Sequence, residues 1–265
     1  MAILKPQFGT FPRKGTTRRK GLKLDLAMLR GGDLYDYSGN GNNGTNHGAT
    51  WVAGEHGPAL SFNGTGERVE IPGNTGQETQ AVTIIIKVKF KAGMANFDHI
   101  FGKAYDDSGG TSPMFSPIFS YTFDYRNLGV RWNTGHASPD SVEYIHDIVV
   151  GEWEVYSATY SPATGKKAYF NGSLDRENSQ SGQIAYFGGD SIMIGARSGG
   201  VLSSLMEVEY AMCFNRALSA QEIKSLYDNP WKDWRKSNLL WMAAAQGGVT
   251  PPTGIPILRR RRECA

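Results

Sequence analysis

The sequence of 265 residues has few cysteines to cross-link a fold. Its two cysteines are Cys213 and Cys264. A fold that depends on disulfides usually carries several pairs, so we do not expect a cross-linked protein. Cys213 lies in a predicted strand, where a free cysteine behaves as a small buried apolar residue.

Long apolar runs are also missing. No run reaches the roughly 18 apolar residues that a membrane-spanning helix needs. Residues 1–15, MAILKPQFGTFPRKG, hold no apolar segment of the kind found in secretory signal peptides. We therefore expect neither a membrane span nor export by a signal peptide. For the same reason we interpret the Asn-x-Ser/Thr sequences at Asn43, Asn63 and Asn171 as turns rather than glycan sites.

The net charge of +3 conceals a separation of charge along the chain. Residues 1–24 carry seven basic side chains and no acidic one, whereas residues 231–265 carry seven basic and two acidic ones. Residues 25–230 are left with a net charge of −9. This pattern predicts two basic arms on an acidic domain, and such arms are expected to bind an acidic surface.

The sequence does contain many short strands joined by turns. Apolar residues make up 40% of the chain, and its 33 glycines suit frequent turns. Alternation of apolar and polar side chains predicts the strands. In residues 81–91, Lys87, Lys89 and Lys91 alternate with apolar residues, which predicts that this face is in water. The predicted strands are residues 21–29, 49–52, 59–62, 68–71, 81–91, 99–103, 115–119, 124–132, 142–148, 153–160, 167–170, 183–187, 192–196 and 205–214.

Residues 153–172, WEVYSATYSPATGKKAYFNG, form the clearest pair of strands. Side chains alternate from Trp153 to Tyr160 between two faces, as in a strand with both faces covered. Pro162 and Gly165 interrupt the ladder, because proline lacks an N–H and glycine favours positive φ. Asn171-Gly172 then predicts a second tight turn of type I′.

One helix is predicted after the last strand. Ser219 and Glu222 have the spacing of a capping box, in which two side chains satisfy backbone N–H groups reciprocally. The helix should run to about Asp228 and end before Pro230. The residues beyond it contain tryptophans and a Gly/Pro-rich stretch, so we expect an arm that docks on a neighbouring protein.

Three segments carry a resemblance to a known family. They are residues 153–172, residues 36–45 (DYSGNGNNGT), and Glu207-Val208 followed by residues 215–223 (NRALSAQEI). Together they resemble the laminin-G-like branch of the concanavalin A-like jelly rolls, over about residues 24–230. The resemblance implies an all-β fold, a two-sheet antiparallel jelly-roll sandwich with one short C-terminal helix and extended terminal arms. The implied division is an arm at 1–21, a sandwich domain at 22–230 and a second arm at 231–265.

Structural calcium is one function that the resemblance implies. In relatives, the loop corresponding to residues 36–45 and a strand glutamate often surround Ca²⁺, which takes oxygen ligands. The ligands here would be Asp36, Asn40, Asn42 and Glu207. The sequence departs from the pattern at Met206, where relatives have an acid. The alternative is an Asx/Gly turn held by its own hydrogen bonds.

Glycoside hydrolysis is expected to be absent. Bacterial β-glucanases of this superfamily carry E-x-D-x-x-E on one strand, and the nearest match here begins at Glu207. Glu209 replaces the aspartate and Met212 replaces the second glutamate, whereas a retaining enzyme needs two carboxyl groups roughly 5–5.5 Å apart. We therefore predict a protein that is not an enzyme.

Glycan binding remains open, because lectin-type sandwiches bind sugars through aromatic and amide side chains in edge loops. Trp132, at a strand end, could instead belong to the core. The candidates are Tyr105, Asp106, Asp107, Trp132, Asn133 and His136.

Charge and resemblance together favour a structural role. We expect a virion protein, a head decoration or tail-attached protein of a tailed phage, assembled in the host cytoplasm and bound to other virion proteins and to copies of itself. The alternatives are a carbohydrate-binding or adhesion module that binds cell-surface or mucus glycans and, less favoured, a glycoside hydrolase. Neither a membrane nor nucleic acid is an expected partner, since no nucleic-acid-binding motif is found. The predicted partner-binding residues are Arg13, Lys14, Arg18, Arg19, Lys20, Trp231, Trp234, Trp241, Arg259, Arg260, Arg261 and Arg262.

Overall fold

Two antiparallel sheets pack face to face in this protein, with one short helix after the last long strand. The predicted all-β sandwich is therefore confirmed. The computed structural model describes residues 10–12, 19–28, 34–73, 79–95, 98–104, 115–122, 127–132, 140–179, 182–184, 191–232 and 234–236.

The first sheet has seven strands, and their order across the sheet differs from their order in the chain. The strands are β3 (Thr45–His47), β6 (Arg68–Ile71), β8 (His99–Ala104), β9 (Phe115–Thr122), β10 (Asn127–Trp132), β11 (Asp140–Glu143) and β15 (Ile192–Ile194). Across the sheet the order is β11-β10-β9-β8-β15-β6-β3.

The second sheet has eight strands and carries the candidate site described below. The strands are β2 (Leu22–Leu26), β4 (Thr50–Ala53), β5 (Pro58–Asn63), β7 (Val82–Phe90), β12 (Trp153–Ser161), β13 (Gly165–Phe170), β14 (Ser173–Asn178) and β16 (Leu205–Phe214). The order is β14-β13-β12-β7-β16-β5-β4, and β2 pairs with β16 beyond the end of β5.

The main apolar core lies between the two sheets. Alternate residues of β7 and β12 point into it, as the sequence predicts. Burying one large apolar side chain contributes about 1.5–3 kcal/mol, so this layer supplies most of the driving force for folding. Cys213 is also buried here, and burial raises the pKa of its thiol to about 12. The core residues of the two strands are Val82, Ile84, Ile86, Val88, Phe90, Tyr156, Ala158 and Tyr160.

A second apolar cluster covers the outer face of the eight-stranded sheet. Ile85 and Val155 of the sheet contact Ile223 and Leu226 of helix α1 (Ala220–Asp228), together with Trp231. The prediction of a wet face along β7 is wrong for this reason, because the helix and the chain after it cover that face. The Lys87 side chain is only 7% exposed.

Helix α1 begins at the predicted capping box. Ser219 Oγ accepts a hydrogen bond from the Glu222 backbone N–H at 3.3 Å, and Glu222 Oε2 accepts one from the Ser219 N–H at 2.9 Å. Arg216 forms two further bonds to the Glu222 carboxylate and lowers the pKa of this group to about 2. No helix in the described segments is long and apolar enough to cross a membrane.

The β12–β13 hairpin and its following turn also match the sequence. Tyr156 pairs with Phe170 and Ser161 with Gly165. Asn171 and Gly172 both adopt positive φ, 46° and 80°, as a type I′ turn requires. A Cβ on Gly172 would lie 2.8 Å from Tyr227 of α1, so this turn must carry glycine for the helix to pack against it.

Several strands were not predicted. β14 has the sequence SLDREN and is largely exposed, so it lacks the apolar alternation that marks a strand. β1 (Thr10–Pro12) and β17 (Trp234–Lys236) pair with each other and join the two arms in a two-stranded ribbon. Residues 183 and 184, which begin the strand predicted at 183–187, belong to no strand, and the rest of that segment lies outside the described residues.

The N-terminal arm is tied to the domain by a buried ion pair. Arg19 donates a hydrogen bond to Asp25 of β2 at 3.0 Å and another to the Tyr37 carbonyl at 2.5 Å. Asp25 is fully buried. Burial raises the pKa of its carboxyl group from 3.8 to about 6, although Arg19 opposes the shift. The folded state therefore favours the protonated carboxyl.

This ion pair predicts an unusual dependence of stability on pH. Because the folded pKa of Asp25 is raised, its favourable contribution is present below pH 3.8 and is lost as the pH rises through about 6. The side chain of Asp25→Asn does not titrate. As the pH rises from 3.8 to about 6, the free energy of unfolding of wild type should therefore fall by about 3 kcal/mol relative to that of the variant, at about 1.4 kcal/mol per pH unit. Urea unfolding at several pH values measures the difference, with Asp147→Asn, at an exposed position, as the control. A difference that does not vary with pH would contradict the assignment.

Candidate functional site

A pocket of about 240 Å³ opens on the outer face of the eight-stranded sheet, beside the C-terminal end of α1. Strands β7, β12 and β16 form its floor, and the loop between β4 and β5 forms one wall. The helix and Pro230 form the opposite wall. Its lining residues are Glu55, His56, Lys87, Trp153, Val155, Asn171, Tyr210, Tyr227, Asp228 and Pro230.

A charged cluster lies at the floor of this pocket. The Lys87 ammonium forms an ion pair with Glu55 Oε2, lies 2.8 Å from His56 Nδ1, and lies 3.2 Å from Glu209 Oε2. The Glu209 side chain is fully buried, whereas that of Glu55 is 49% exposed. An ammonium has three N–H groups, so Lys87 can donate one hydrogen bond to each of these three atoms.

The backbone brings these groups together in two ways. A bulge in β16 shifts the register with β7 between Val208 and Tyr210, and Glu209 is the extra residue. On the other side, the backbone N–H of His56 donates to Glu209 Oε1 at 2.6 Å. Gly54 is required in this loop, since a Cβ there would lie 2.8 Å from the Gly57 carbonyl oxygen and 3.0 Å from Glu209 Oε1.

The cluster does not have the character of a catalytic acid–base pair or of a metal centre. One ligand atom each of Glu55, His56 and Glu209 lie within 4.8 Å of one another, which is close enough for a metal ion. The Lys87 ammonium already lies at the point where these atoms converge. Both carboxylates of the cluster are thus engaged by the same ammonium.

Other polar groups of the pocket have no partner in the described part of the chain. Tyr210 is 2% exposed, and burial raises the pKa of its hydroxyl, yet this hydroxyl makes no hydrogen bond there. The same holds for the hydroxyl of Tyr227, the indole N–H of Trp153 and the amide nitrogen of Asn171. The pocket thus presents several donors that a ligand could bind.

Aromatic rings frame these polar groups. Trp153 lies under two ammonium groups, with Lys89 Nζ at 5.2 Å and Lys87 Nζ at 6.0 Å from its ring centroid. Trp231 meets His56 edge-on at a centroid distance of 5.9 Å and Tyr210 at 5.7 Å. Trp231 therefore holds the wall of the pocket in place.

The predicted calcium loop is closed by its own hydrogen bonds. The Asp36 carboxylate accepts from the backbone N–H groups of Asp25, Ser38 and Asn42 and from the Ser38 hydroxyl. The Asn40 and Asn42 amides donate to carbonyl oxygens of β2. These donors use the oxygens that Ca²⁺ would need, so the residues do not fit a calcium site well and the Asx/Gly turn describes them better.

Glu207, the fourth predicted calcium ligand, lies elsewhere. It pairs with Lys89 at 2.5 Å on the outer face of the sheet. Glu207 pairs with Ser61 and Lys89 on the neighbouring strands. Asp36 lies level with a position farther along β16, because it forms a bridge to Leu26 and Leu26 pairs with Ala211. The bulge at Glu209 lies between the two positions. The structure therefore does not bring Glu207 into the loop.

The predicted glycan-binding residues are not tested by the structure. Trp132 ends β10, where it pairs with Asp140. The other five, Tyr105, Asp106, Asp107, Asn133 and His136, lie outside the described residues.

Some predicted partner-binding residues have partners within the chain. The assignment of Trp231 to a partner interface is wrong, because its side chain is buried in the second apolar cluster and packs within the domain. Arg19 is used by Asp25, and the Lys20 carbonyl accepts from Arg216. Trp234 lies in β17. The remaining ones, Arg13, Lys14, Arg18, Trp241, Arg259, Arg260, Arg261 and Arg262, lie outside the described residues.

Comparison with known families agrees with this architecture. A family model of the concanavalin A-like lectin/glucanases superfamily matches residues 63–224, more than half of the chain. The chain belongs to this superfamily. The resemblance expected from the sequence motifs is confirmed at this level, whereas the link to tailed phages finds no support in the comparisons.

Solved structures of the superfamily fold align over most of the chain. The binding domain of Paraclostridial mosquitocidal protein 1 is 14% identical with a TM-score of 0.63, covering 82% of this chain and 54% of that one. Domain 4 of an extracellular arabinanase from Geobacillus stearothermophilus, in complex with arabinotriose, is 16% identical with a TM-score of 0.62, covering 78% and 98%. The receptor-binding domain of botulinum neurotoxin C/D mosaic serotype is 13% identical with a TM-score of 0.62, covering 78% and 51%.

These similarities show a shared fold alone, because the identities are low. The chain spans about half the length of the two toxin domains and about a third of Trypanosoma rangeli sialidase, which it also matches. A search of curated protein sequences finds no match.

The sequence analysis did not predict this pocket. Glu209 was considered only as a departure from the glucanase motif, and Glu55, His56 and Tyr227 were not considered as site residues. One signal was present in the sequence: Lys87 is a charged residue in the predicted strand 81–91, which is otherwise rich in apolar residues. A buried lysine needs acidic partners, but the sequence does not say which carboxylates approach it.

The charged cluster predicts a large loss of stability for Lys87→Met. Removing the ammonium leaves the buried Glu209 carboxylate without this ion-pair partner, which typically costs about 3–5 kcal/mol. Lys87→Met/Glu209→Gln should recover part of the loss, because the buried charge is then also removed. Urea unfolding measures both variants. Lys167→Met, which breaks an exposed pair with Glu177, is the control and should cost less than about 1 kcal/mol. Equal losses for Lys87→Met and Lys167→Met would refute the cluster.

Proposed function

We propose that this protein is a carbohydrate-binding module without enzymatic activity, and that a sugar binds in the pocket between β12, β16 and α1. One observation carries the proposal. The Tyr210 hydroxyl, on a side chain that is 2% exposed, faces the pocket without a hydrogen-bond partner in the described residues. Because a hydroxyl can both donate and accept, a ligand that pairs with this group in the pocket gains affinity.

The neighbouring groups have the chemistry that a sugar requires. Sugar hydroxyls donate and accept, and the pocket offers donors from Trp153, Asn171 and Tyr227 together with the carboxylates of Glu55 and Asp228. Aromatic side chains with one polar end suit the mixed polar and apolar surface of a sugar ring. The volume of about 240 Å³ suits one small polar ring rather than a long chain bound throughout its length.

Two solved structures with a similar fold support the same proposal. An arabinanase domain with this fold was solved in complex with arabinotriose, and the botulinum domain is a receptor-binding domain. Binding modules therefore occur on this fold. Hydrolysis is disfavoured for this chain, because Met212 replaces one acid of the glucanase motif and Lys87 forms ion pairs with both Glu55 and Glu209.

Binding to immobilised glycans tests the proposal. Wild-type protein should bind at least one class of sugar, and Tyr210→Phe should weaken that binding by about tenfold, the loss of one hydrogen bond to a buried group. The substitution keeps the ring and therefore the apolar cluster. Tyr35→Phe, which removes an exposed hydroxyl elsewhere, is the matched control and should bind as wild type does.

Two results would overturn this assignment. Wild-type protein that binds no glycan across a broad array would remove the function itself. Glycan binding that Tyr210→Phe leaves unchanged would keep the function but place it away from this pocket, for example at the predicted edge-loop residues.

A virion structural role is the second candidate, and the ribbon of β1 and β17 favours it. This pairing joins two basic arms at one place on an acidic domain. A two-stranded ribbon alone is marginally stable in water, so it would gain from a partner surface that covers it. The partners would be other virion proteins and copies of this chain.

Arm variants separate this role from sugar binding. Deleting residues 1–18, which leaves Arg19 in place, or changing Arg259, Arg260, Arg261 and Arg262 to alanine should abolish large assemblies in analytical ultracentrifugation while leaving the melting temperature unchanged. Assembly should weaken with salt, since ionic contacts at the surface are screened beyond roughly 8–10 Å. Wild-type protein that remains monomeric at all concentrations would contradict the structural role.

A further inference from the structure

The carboxylates at the pocket wall are only partly neutralised. Glu55 is 49% exposed, and its partner Lys87 is shared with the buried Glu209. One ammonium thus serves two carboxylates, and Glu55 Oε1 makes no hydrogen bond in the described part of the chain. A ligand that supplies a positive charge here would complete the pairing.

A second carboxylate lines the opposite wall. Asp228, the last residue of α1, forms an ion pair with Lys224 through Oδ1, and both side chains are more than half exposed. Such surface pairs contribute little, because water screens them. Asp228 Oδ2 makes no hydrogen bond in the described residues, so it is available to a ligand from the helix side.

We infer that the pocket prefers a sugar that carries a free amino group, such as a deacetylated hexosamine. This inference rests on the proposed sugar-binding function and specifies its substrate class. The sugar ammonium pairs with Glu55, Asp228 on the opposite wall adds negative charge to the pocket, and the ring hydroxyls bind Tyr210 and Asn171. A charge-assisted hydrogen bond to a carboxylate is roughly twice as strong as a neutral one, which gives the amine its advantage.

The same charges exclude the related sugars. An N-acetylated sugar has no positive charge at this position, and its acetyl group needs additional space in a small pocket. An acidic sugar brings a carboxylate towards Glu55 and Asp228 and is repelled. A neutral sugar retains its hydroxyl contacts and is expected to bind more weakly.

Three tetrasaccharides with the same β-1,4 linkage test this order directly. They are the tetramers of glucosamine, N-acetylglucosamine and glucose, which differ at one substituent of the ring. By isothermal titration calorimetry the glucosamine tetramer should bind at least about tenfold more tightly than the glucose tetramer. The advantage should shrink as salt is added. Ethanolamine, an amine without a ring, should not compete at the same concentration.

Charge-neutralising variants locate the amine. Glu55→Gln should reduce the preference for the glucosamine tetramer over the glucose tetramer to less than about threefold, beyond any loss of affinity that the two tetramers share. Asp228→Asn, on an exposed position of the helix, provides a second variant if Glu55→Gln disturbs the fold. Glu177→Gln makes the same change in charge on β14 and is the control for non-specific attraction to an acidic domain.

The results distinguish this inference from the function on which it rests. Equal binding of the three tetramers, or a preference that Glu177→Gln reduces as much as Glu55→Gln does, overturns the amine preference and leaves sugar binding intact. Competition by ethanolamine at the same concentration also overturns it, since the pocket would then recognise amines without a sugar. Failure of wild-type protein to bind any tetramer or any arrayed glycan overturns both.

Discussion

The buried ammonium of Lys87 is the interaction on which the rest of the candidate site depends. It lies on the central strand β7 and faces the helix-covered side of the sheet, where an unpaired charge would be prohibitive. The ammonium contacts three side chains from two other segments of the chain, namely Glu55, His56 and Glu209. The loop between β4 and β5 is therefore fixed against the sheet, and this loop is one wall of the pocket.

Helix α1 and Trp231 provide the other wall for a separate reason. The outer face of the sheet carries Ile85 and Val155, which would be exposed without the helix. The helix covers part of this face and leaves the remainder as the pocket. Gly172 permits the close approach of Tyr227 that fixes the helix position. The pocket thus lies between two walls that are stabilised independently. Ion pairs with Lys87 hold the loop between β4 and β5, and apolar burial holds helix α1 and Trp231.

The arms belong to the domain more closely than their composition indicates. Arg19 and Trp231, both assigned to partners on composition, are used inside the domain by Asp25 and by Tyr210. The basic charge that remains for a partner lies farther out along each arm, and β1–β17 brings the two arms together. An attachment role and a sugar-binding role would therefore use different parts of the molecule and can coexist.

The fold class was predicted by the family resemblance of three separated segments. The β12–β13 hairpin, the type I′ turn at Asn171-Gly172 and the capping box at Ser219 were predicted from residues close together in the chain, where alternation, φ preference and side-chain reach act locally. Three features follow from long-range packing instead: β7 is covered on both faces, Glu209 is the extra residue of a bulge, and Glu55 and His56 contact Lys87. Those contacts join segments more than thirty residues apart, and the free energy of burying a charge selects them only after the sheets have formed.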